Sequence, residues 1–470
     1  GTMFNQVHHN QKIRKHYQQL ISAMGNLPSD VIRKKKQEAE ETIRNIGITF
    51  SVYSDLDARE RLIPFDMFPR IISSAEWKKI NDGIVQRALA INAFLRDIYH
   101  TGEILRAGII PKELVYQNPA FDVKMIGFDV PHHIYAPIIG SDIVRTSKEG
   151  FSVLEDNCRI PSGVSYMIEN REIMMRMFPE ILQQIKVEGV DSYPQHLLNT
   201  LCSLKPKNCY GEPNVVLLTP GPMNSAYYEH SYLADTMGIE LVQGTDLFVD
   251  DGITYMMTTT GPNRVDIIYR RIDDKFLDPL SYDNSSLIGI PGLFNSYKSH
   301  NLSILSAPGS GLADDKAIYS YMPDIIRFYQ GESPILDNIC TWRCHIEDER
   351  KYVLDNITKL VVKEVHGAGG YGMLIGDRAS KNNINKFKNK IKNNPSNYIA
   401  QPILNLSTVP IFNKSSLEQR HVDFRPFCLV GQNFTKLVSG GLTRVALKKG
   451  SLVVNSSQGG GVKDTWVLAE

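Results

Sequence analysis

Three oxygen-bearing side chains, Asp142, Glu155 and Asn157, have a spacing that could hold a divalent cation. They flank two short predicted strands, 143–144 and 151–154, which form a hairpin. Side chains two positions apart on a strand share a face, so Glu155 and Asn157 can meet Asp142 on the neighbouring strand. Two carboxylates and an amide oxygen suit Mg²⁺, which also takes waters and substrate phosphates as ligands. On spacing alone, a solvated hairpin with one polar face is the more frequent structure.

A glycine-rich segment after the predicted strand 358–363 could perform a second kind of chemistry. Four of six consecutive positions are glycines; the segment contains Gly367, Ala368, Gly369, Gly370 and Gly372. Backbone amides without a neighbouring Cβ can approach a phosphate closely, and Lys363 can reach phosphates as a point charge. The segment lacks the GKS or GKT of a Walker loop and does not open a Rossmann unit. By itself, such a hairpin is weak evidence for a nucleotide site.

Two further polar clusters permit both a ligand-binding and a structural interpretation. The first lies at the end of the predicted strand 265–269, where open α/β sheets bind ligands, and contains Asp266, Arg270, Arg271, Asp273 and Asp274. Structural ion pairing explains this cluster equally well. The second is another glycine-rich segment, 455–464, which contains Lys463 and is either an anion-binding loop or a flexible surface loop.

Hydrophobic periodicity predicts the elements that must position these residues. Helices are predicted within 4–46 and over 76–100, 166–184, 225–237 and 380–393, and an extended surface segment over 62–73. The helix 76–100 is the most clearly amphipathic; Ile80, Ile84, Ala88, Ile91 and Ile98 fall near one face. Strands alternate with a helix between 214 and 269, which predicts a mainly parallel sheet.

Length and composition restrict the possible classes of function. A chain of 470 residues with 42% hydrophobic content can form several domains. Its formal net charge of +1 argues against bulk binding to nucleic acid or to an anionic membrane. No apolar run reaches transmembrane length and the N-terminus is polar, so we expect a cytoplasmic protein with its six cysteines reduced. No oligomeric state follows from the sequence.

Taken together, the Lys363 strand, the glycine-rich segment, the hinge-like strand 398–402 and the acidic cluster resemble an ATP-grasp enzyme. In that superfamily the lysine usually precedes the Glu-x-Asn motif, whereas here Glu155 comes 363 − 155 = 208 residues before Lys363. The reversed order indicates circular permutation. Longer stretches, from about residue 48 to the C-terminus, resemble the circularly permuted, glutathionylspermidine-synthase-like ATP-grasp family. They are LIPFD (62–66), VLEDN (153–157), RIPSG (159–163), LTPG (218–221), AYYEH (226–230), YRRIDD (269–274), ADDK (313–316), RHVD (420–423) and KDTW (463–466).

The resemblance implies a mixed α/β chain with a circularly permuted ATP-grasp fold, an additional α/β pre-ATP-grasp domain and a helical N-terminal region. The expected boundaries are 1–61 for the N-terminal extension, 62–203 for the metal-binding subdomain, 204–335 for the pre-ATP-grasp domain, 336–405 for the nucleotide-binding subdomain and 406–470 for a return to the metal-binding subdomain.

The resemblance also implies roles for single residues. Asp142, Glu155 and Asn157 would hold Mg²⁺, with two ions expected. Lys363 and the segment Gly367–Gly372 would bind the phosphates of ATP, and Gln401 with its neighbours would meet the adenine. The expected catalytic side chains are Arg159, Arg444 and Lys463. Arg159 stands where glutathionylspermidine synthase has an aspartate, so the substrate does not transfer; this arginine could stabilise an acyl-phosphate or grip a carboxylate.

Two functions fit these residues. The first is a ligase that joins a small-molecule or peptide carboxylate to an amine through an acyl-phosphate and releases ADP and phosphate. The alternative is an ATP-grasp kinase or a nucleotide-binding partner protein. Both need the same magnesium–triphosphate site, and the residues identify neither the acid nor the amine.

Overall fold

The computed structural model describes residues 8–9, 12–46, 49–51, 60–62, 64–146, 150–366, 372–404, 406–413, 416–446, 448 and 460–470. Its N-terminal region contains β1 (His8–His9), β2 (Lys12–Ile13), α1 (Lys15–Gly25), α2 (Ser29–Ile46), β3 (Thr49–Ser51) and β4 (Glu60–Leu62). The helices expected within 4–46 are therefore confirmed. The buried Tyr17 of α1 fastens this region to the next strand, because its hydroxyl accepts a hydrogen bond from Ile71 N at 2.8 Å.

The second segment surrounds the predicted acidic cluster. It contains β5 (Phe65–Ile72), α3 (Ser74–Ile98), α4 (Glu103–Arg106), α5 (Lys112–Tyr116), β6 (Ile138–Arg145), β7 (Phe151–Asn157), α6 (Val164–Met177), α7 (Pro179–Gln184) and α8 (Tyr193–Ser203). Helix α3 begins with a capping box formed by Ser73 and Glu76. All five predicted core residues of this helix are buried, so its amphipathic pattern is confirmed.

The third segment contains the expected parallel sheet. Its elements are β8 (Val215–Leu218), α9 (Tyr227–Met237), β9 (Glu240–Val242), β10 (Leu247–Asp250), β11 (Ile253–Thr258), β12 (Gly261–Arg264), β13 (Ile267–Arg270), α10 (Leu293–Lys298), β14 (Ser303–Leu305), α11 (Lys316–Ser320) and α12 (Met322–Gln330). The strand order is β14-β13-β8-β9, with every neighbouring pair parallel. Strands β10, β11 and β12 form a separate antiparallel sheet.

The fourth segment forms a small antiparallel sheet with two helices. Its elements are β15 (Asp337–Asn338), β16 (Trp342–Arg343), α13 (Glu347–Asn356), β17 (Leu360–Glu364), β18 (Met373–Ile375), α14 (Lys381–Asn393) and β19 (Tyr398–Pro402). The order is β16-β19-β17-β18, and β15 instead joins the edge of the large sheet. Val353, Val362, Leu374 and Ile391 belong to a hydrophobic core separate from the main one.

The C-terminal segment completes a ten-stranded sheet that also contains strands from the second segment. It contains β20 (Thr408–Asn413), β21 (Ser416–Arg425), β22 (Phe427–Gly431), β23 (Phe434–Leu437), β24 (Leu442–Val445) and β25 (Gly461–Val467). The main path is β15-β7-β6-β21-β24-β25-β5. Strands from the two halves of the chain therefore lie in one sheet, and the exact domain boundaries stay predictions.

Two local predictions are wrong. The segment 62–73 was expected at the surface, but β5 pairs in parallel with β25 and is buried from Met67 to Ile72. The predicted helix 166–184 is two helices, because Pro179 cannot continue a helix and Phe178 before it adopts φ −134°.

A search of the described helices for a bilayer-spanning segment finds none with the necessary length and apolar character.

Candidate active site

A cavity of about 590 Å³ opens where the large, the parallel and the small antiparallel sheets meet. Its wall includes Glu155, Asn157 and Arg159 from the end of β7, Asp273 and Asp274 after β13, and His366 after β17. Two of the expected metal ligands and the histidine just before the glycine-rich segment thus face one space. Arg159 and Lys316 are among the basic residues that add positive charge to a wall that also carries several carboxylates.

The three predicted metal ligands lie together. Asp142 and Glu155 are register partners on β6 and β7 beside a bulge, and their carboxyl groups are hydrogen-bonded. Asn157 pairs with Gly140, whose carbonyl accepts a hydrogen bond from Asn157 Nδ2 at 2.9 Å. This bond leaves the amide oxygen of Asn157 for a ligand. Glu155 and Asn157 line the cavity, whereas Asp142 is fully buried behind them.

Two arginines hold the Asp142 carboxylate. Arg425 donates from Nε at 2.7 Å and from Nη2 at 3.1 Å, and Arg444 donates from Nη2 at 3.0 Å. Arg444 is itself held by Asp423, with bonds of 2.8 and 2.5 Å. Burial would raise the pKa of Asp142, but the two guanidinium groups lower it below its usual range. The predicted catalytic Arg444 is therefore placed to keep Asp142 charged.

Glu155 has the opposite electrostatic character. Burial and the adjacent Asp142 raise the pKa of Glu155 to about 7, while Lys316 and Lys363 act in the other direction. A carboxyl group of this kind needs a further positive partner to be fully ionised at neutral pH. A divalent cation bound at the cavity side of Glu155 would be such a partner.

The donor set fits Mg²⁺. Among the residues that the structure describes, no three His, Cys, Asp or Glu side chains converge as a metal site. The protein would therefore contribute only Glu155, the amide oxygen of Asn157 and, from behind, Asp142. Mg²⁺ is commonly bound in this way, with waters and substrate phosphates as the remaining ligands. Because Asp142 already accepts bonds from two arginines, we expect Glu155 and Asn157 to be the principal ligands.

Lys363 lies close to this acidic group. Its Nζ donates to Gln401 Oε1 at 2.9 Å, and Gln401 Nε2 donates to Thr341 Oγ1 at 3.1 Å. Burial lowers the pKa of Lys363 to about 8, with Glu155 opposing and Lys316 reinforcing this shift. Gln401 is buried and its side chain positions Lys363. A contact of Gln401 with adenine stays a prediction.

The glycine-rich segment is described only at its last residue, Gly372. Gly367, Ala368, Gly369 and Gly370 lie outside the described residues. Gly372 has φ 69°, and a Cβ there would lie 2.5 Å from Glu364 Cδ, so the position requires glycine. His366, directly before the segment, lines the cavity.

Arg159 extends into the cavity. Its side chain is 41% exposed and lies 3.4 Å from an Asp273 carboxylate oxygen. Its backbone is held in place, since the Ser306 hydroxyl donates to Arg159 O at 2.5 Å. A guanidinium with so weak an internal partner can turn towards the oxygens of an anionic ligand.

Lys463 has a structural environment instead. It is fully buried; its Nζ donates to Phe68 O at 2.7 Å and Pro410 O at 2.6 Å, and lies 3.0 Å from Asp66. These bonds fasten β25 to β5 and β20, away from the cavity. This placement argues against the catalytic role predicted for Lys463.

In the polar cluster after β13, some residues form structural ion pairs and others face the cavity, where a ligand could bind. Arg270 and Arg271 are buried in ion pairs, with Asp274 at 2.5 Å and Glu229 at 2.8 Å respectively. Asp273 and Asp274 also line the cavity. Of the second glycine-rich segment, residues 455–459 lie outside the described part of the chain.

Three residues at the site had no assigned role in the sequence. Lys316 influences the pKa of both Glu155 and Lys363, Arg425 binds Asp142, and His366 lines the cavity. Each lies in or beside a motif that the sequence does show: ADDK, RHVD and the glycine-rich segment. The motifs were therefore a signal for them, but only the folded chain shows what each residue contacts.

Comparisons with known proteins show which sequences and structures this chain is similar to. A protein of Synechocystis sp. without an assigned function is 49% identical over 449 residues, covering 96% of this chain and 93% of the relative. A Mycobacterium tuberculosis protein, also uncharacterised, is 48% identical over 423 residues, covering 90% of this chain and 76% of the relative. A Frankia alni protein provisionally named a glutamate–cysteine ligase is 37% identical and spans 97% of this chain, which matches only 52% of that relative.

A solved structure shares the fold, and a family model matches most of the sequence. The structure is that of a glutathione synthetase-like effector from Globodera pallida in its apo form. It matches with a TM-score of 0.59 over 94% of this chain and 98% of that chain, at 13% identity. The family model described as circularly permuted ATP-grasp type 2 matches residues 69–446. The chain therefore belongs to the type 2 circularly permuted ATP-grasp family.

Proposed function

We propose that this protein is an ATP-dependent ligase that joins a carboxylate to an amine through an acyl-phosphate and releases ADP and phosphate. The observation that carries the proposal is the proximity of Lys363 and Glu155. These residues are 363 − 155 = 208 positions apart in sequence, yet each shifts the pKa of the other, and Glu155 lines the cavity. A lysine and a metal-binding carboxylate so placed can act on the same triphosphate.

Family membership supports the coarser part of this proposal. ATP-grasp enzymes generally use ATP and Mg²⁺, and the Frankia relative bears the name of a ligase. Because this chain spans about half of that relative, the name identifies neither the acid nor the amine for this protein. The acyl-phosphate route is inferred from the charges at the cavity.

The side chains have separable tasks. Gln401 positions Lys363, which is mostly protonated at pH 7 and adds positive charge beside the phosphates. Arg425 and Arg444 keep Asp142 ionised behind Glu155. Glu155 and Asn157 would hold Mg²⁺, which would supply positive charge against the charge of the phosphates. Arg159 can stabilise the negative charge that develops on the activated carboxylate.

The test is acid-dependent nucleotide cleavage with a chemical trap. The protein is incubated with Mg-ATP, hydroxylamine and, one at a time, the twenty L-amino acids and short acidic peptides; hydroxamate and ADP are measured. We expect both products only with the correct acid. AMP and pyrophosphate would indicate adenylation, and stable phosphate on a hydroxyl group would indicate the kinase alternative. Either result would sink the proposal, as would the absence of any hydroxamate.

A lysine variant tests the assigned site. Lys363→Ala should reduce hydroxamate formation by about 10²-fold or more, the scale for losing one preorganised charge. The matched control is Lys359→Ala, which removes an exposed lysine just before the same strand. Equal rates for the two variants, with both proteins folded, would remove Lys363 from the site.

A further inference from the structure

A histidine–carboxylate pair, His366 with Asp315, lies at the cavity and has no task in the chemistry described above. His366 Nδ1 lies 2.9 Å from Asp315 Oδ2. The Asp315 side chain is 2% exposed, whereas that of His366 is 44% exposed. Since the two ring nitrogens point in different directions, the contact of Nδ1 with Asp315 leaves Nε2 turned away from that carboxylate.

The carboxylate of this pair is rigidly held. Asp315 Oδ1 caps helix α11, accepting hydrogen bonds from Ala317 N at 2.8 Å and Ile318 N at 3.0 Å. Asp315 Oδ2 also accepts a bond from Asn118 Nδ2 at 2.8 Å. A fixed, buried carboxylate bound to Nδ1 favours the tautomer with a proton on Nδ1 and a lone pair on Nε2.

The backbone also positions His366. Lys316 N donates to Val365 O at 3.2 Å, which joins the start of α11 to the end of β17. His366 and Asp315 line the same cavity as Glu155 and Arg159. The histidine therefore shares this cavity with Arg159, the residue expected beside the activated carboxylate.

We propose that His366 accepts the proton of the attacking amine, with Asp315 as its positioning residue; this inference rests on the proposed ligase function. The amine nitrogen forms the new C–N bond with its lone pair. The bond from the acyl carbon to the phosphate oxygen breaks, and phosphate leaves with that electron pair. His366 Nε2 takes the proton whose loss frees that lone pair, and the second proton lost by the nitrogen goes to the departing phosphate.

The other carboxylates at the cavity have different partners. Asp156 is held by Arg87 at 2.7 Å, Asp274 by Arg270 at 2.5 Å, and Asp273 faces Arg159 at 3.4 Å. Glu155 is the expected metal ligand. Asp314 is the main competitor as a base, but its Oδ1 accepts a bond from Cys158 N at 2.5 Å. His366 best combines accessibility with a fixed orientation.

The kinetic test separates the two half-reactions. Hydroxylamine is largely unprotonated at neutral pH and can attack without a base, whereas the amino group of an amino acid or of spermidine is then an ammonium ion and must lose a proton before its nitrogen can attack. With the acid identified by the trap, His366→Gln should lower amide formation about 10²-fold, the scale of general base catalysis, and leave hydroxamate formation within about twofold. Asp315→Asn should cause a smaller loss and move the pH profile of amide formation. The control is His345→Gln. The ring of His345 lies outside the cavity lining, and its Nε2 is 3.2 Å from the Tyr321 hydroxyl oxygen.

Each outcome has a defined meaning. Equal losses with hydroxylamine and with the amine would make His366 structural and overturn the inference. A loss of amide formation in Asp314→Asn but not in His366→Gln would assign the base to Asp314 instead. If the wild-type protein forms no hydroxamate with any acid, the ligase proposal itself fails.

A second measurement needs no substrate. In the full chain with ¹⁵N-labelled histidine, the ring signals of His366 are assigned by their disappearance in His366→Gln. We expect the tautomer protonated on Nδ1, and a change in the tautomer in Asp315→Asn. A dominant Nε2–H tautomer would overturn the inference whatever the kinetics show, because Nε2 could not then accept a proton.

Discussion

At the scale of single residues, two neighbouring carboxylates differ because their partners differ. Asp142 is surrounded by Arg425 and Arg444, so it remains ionised despite complete burial. Glu155 faces the cavity beside that charge, and its pKa rises to about 7. Asp142 therefore keeps a fixed negative charge, whereas Glu155, in front of it, can gain or lose a proton near neutral pH. Such a site can bind a cation, and without the cation Glu155 can be protonated instead of remaining as a second buried charge.

This difference predicts a pH dependence of stability in metal-free protein. An unfolded glutamate has a pKa of 4.5, and Glu155 in the folded protein has one of about 7. The folded state thus binds more protons between these values, and its stability falls as pH rises through this window. Urea unfolding should show a loss on the order of 1–3 kcal/mol between pH 5 and pH 8 that is absent in Glu155→Gln.

Two controls accompany this measurement. Glu240→Gln removes an exposed carboxylate from a strand edge and should leave the pH dependence of the wild type unchanged. Added Mg²⁺ should recover stability at pH 8 in the wild type but not in Glu155→Gln. If Glu155→Gln and the wild type lose stability in parallel, the raised pKa is not real.

At the scale of elements, helix α9 is fastened to the end of strand β8 by a buried histidine. His230 Nδ1 lies 2.8 Å from Thr219 Oγ1. Burial lowers the pKa of His230 to about 2, and Arg271 acts in the same direction. The helix therefore packs on the parallel sheet with this imidazole neutral. Protonation would place an unpaired charge between the two elements.

His230 should make the parallel-sheet region sensitive to acid. An unfolded histidine has a pKa of 6.5, so below that value the unfolded state binds the additional proton. Stability present above pH 6.5 is then lost as pH falls, by up to about 1.4 kcal/mol per pH unit. His230→Gln should flatten this slope between pH 6.5 and pH 4 in urea unfolding. The exposed His132→Gln serves as control and should keep it; identical slopes in all three proteins would refute the assignment.

At the scale of the whole molecule, one buried ion pair connects the parallel sheet to the site. Arg271 Nη2 lies 2.8 Å from Glu229 Oε2, and Glu229 Oε1 accepts hydrogen bonds from Gly163 N and Ser165 N, each at 2.9 Å. Arg271 Nη1 also donates to Pro161 O at 3.2 Å. Residues of the third segment are thus hydrogen-bonded to residues 161–165, which follow the Glu155–Arg159 stretch of the second segment.

Breaking this pair should destabilise the full chain. Glu229→Ala leaves Arg271 buried without its charge partner, and we expect a loss of about 3–5 kcal/mol in the free energy of unfolding. Asp324→Ala, which removes the exposed partner of Arg327 at 3.7 Å, should cost at most about 1 kcal/mol. Urea denaturation of both variants measures the difference. Similar values would mean that Glu229 does not join the two segments.

Much of the fold could be predicted because it depends on neighbours within a few residues. The amphipathic stripe from Ile80 to Ile98, the strand 398–402 and the alternation of strands with a helix between 214 and 269 are all confirmed. The failures have physical causes of longer range. Strand β5 looks like a surface segment until β25, almost four hundred residues later, pairs with it.

The sequence by itself determined which residue types could perform chemistry and which of them share a local face. Glu155 and Asn157 share a strand face because alternation is a property of the strand itself. Only the tertiary structure decided the charge state and the task of each group. It placed Arg425 on Asp142, Asp315 on His366 and Gln401 on Lys363, and it buried Lys463 among structural partners. These contacts join distant parts of the chain, and burial away from water gives them their strength.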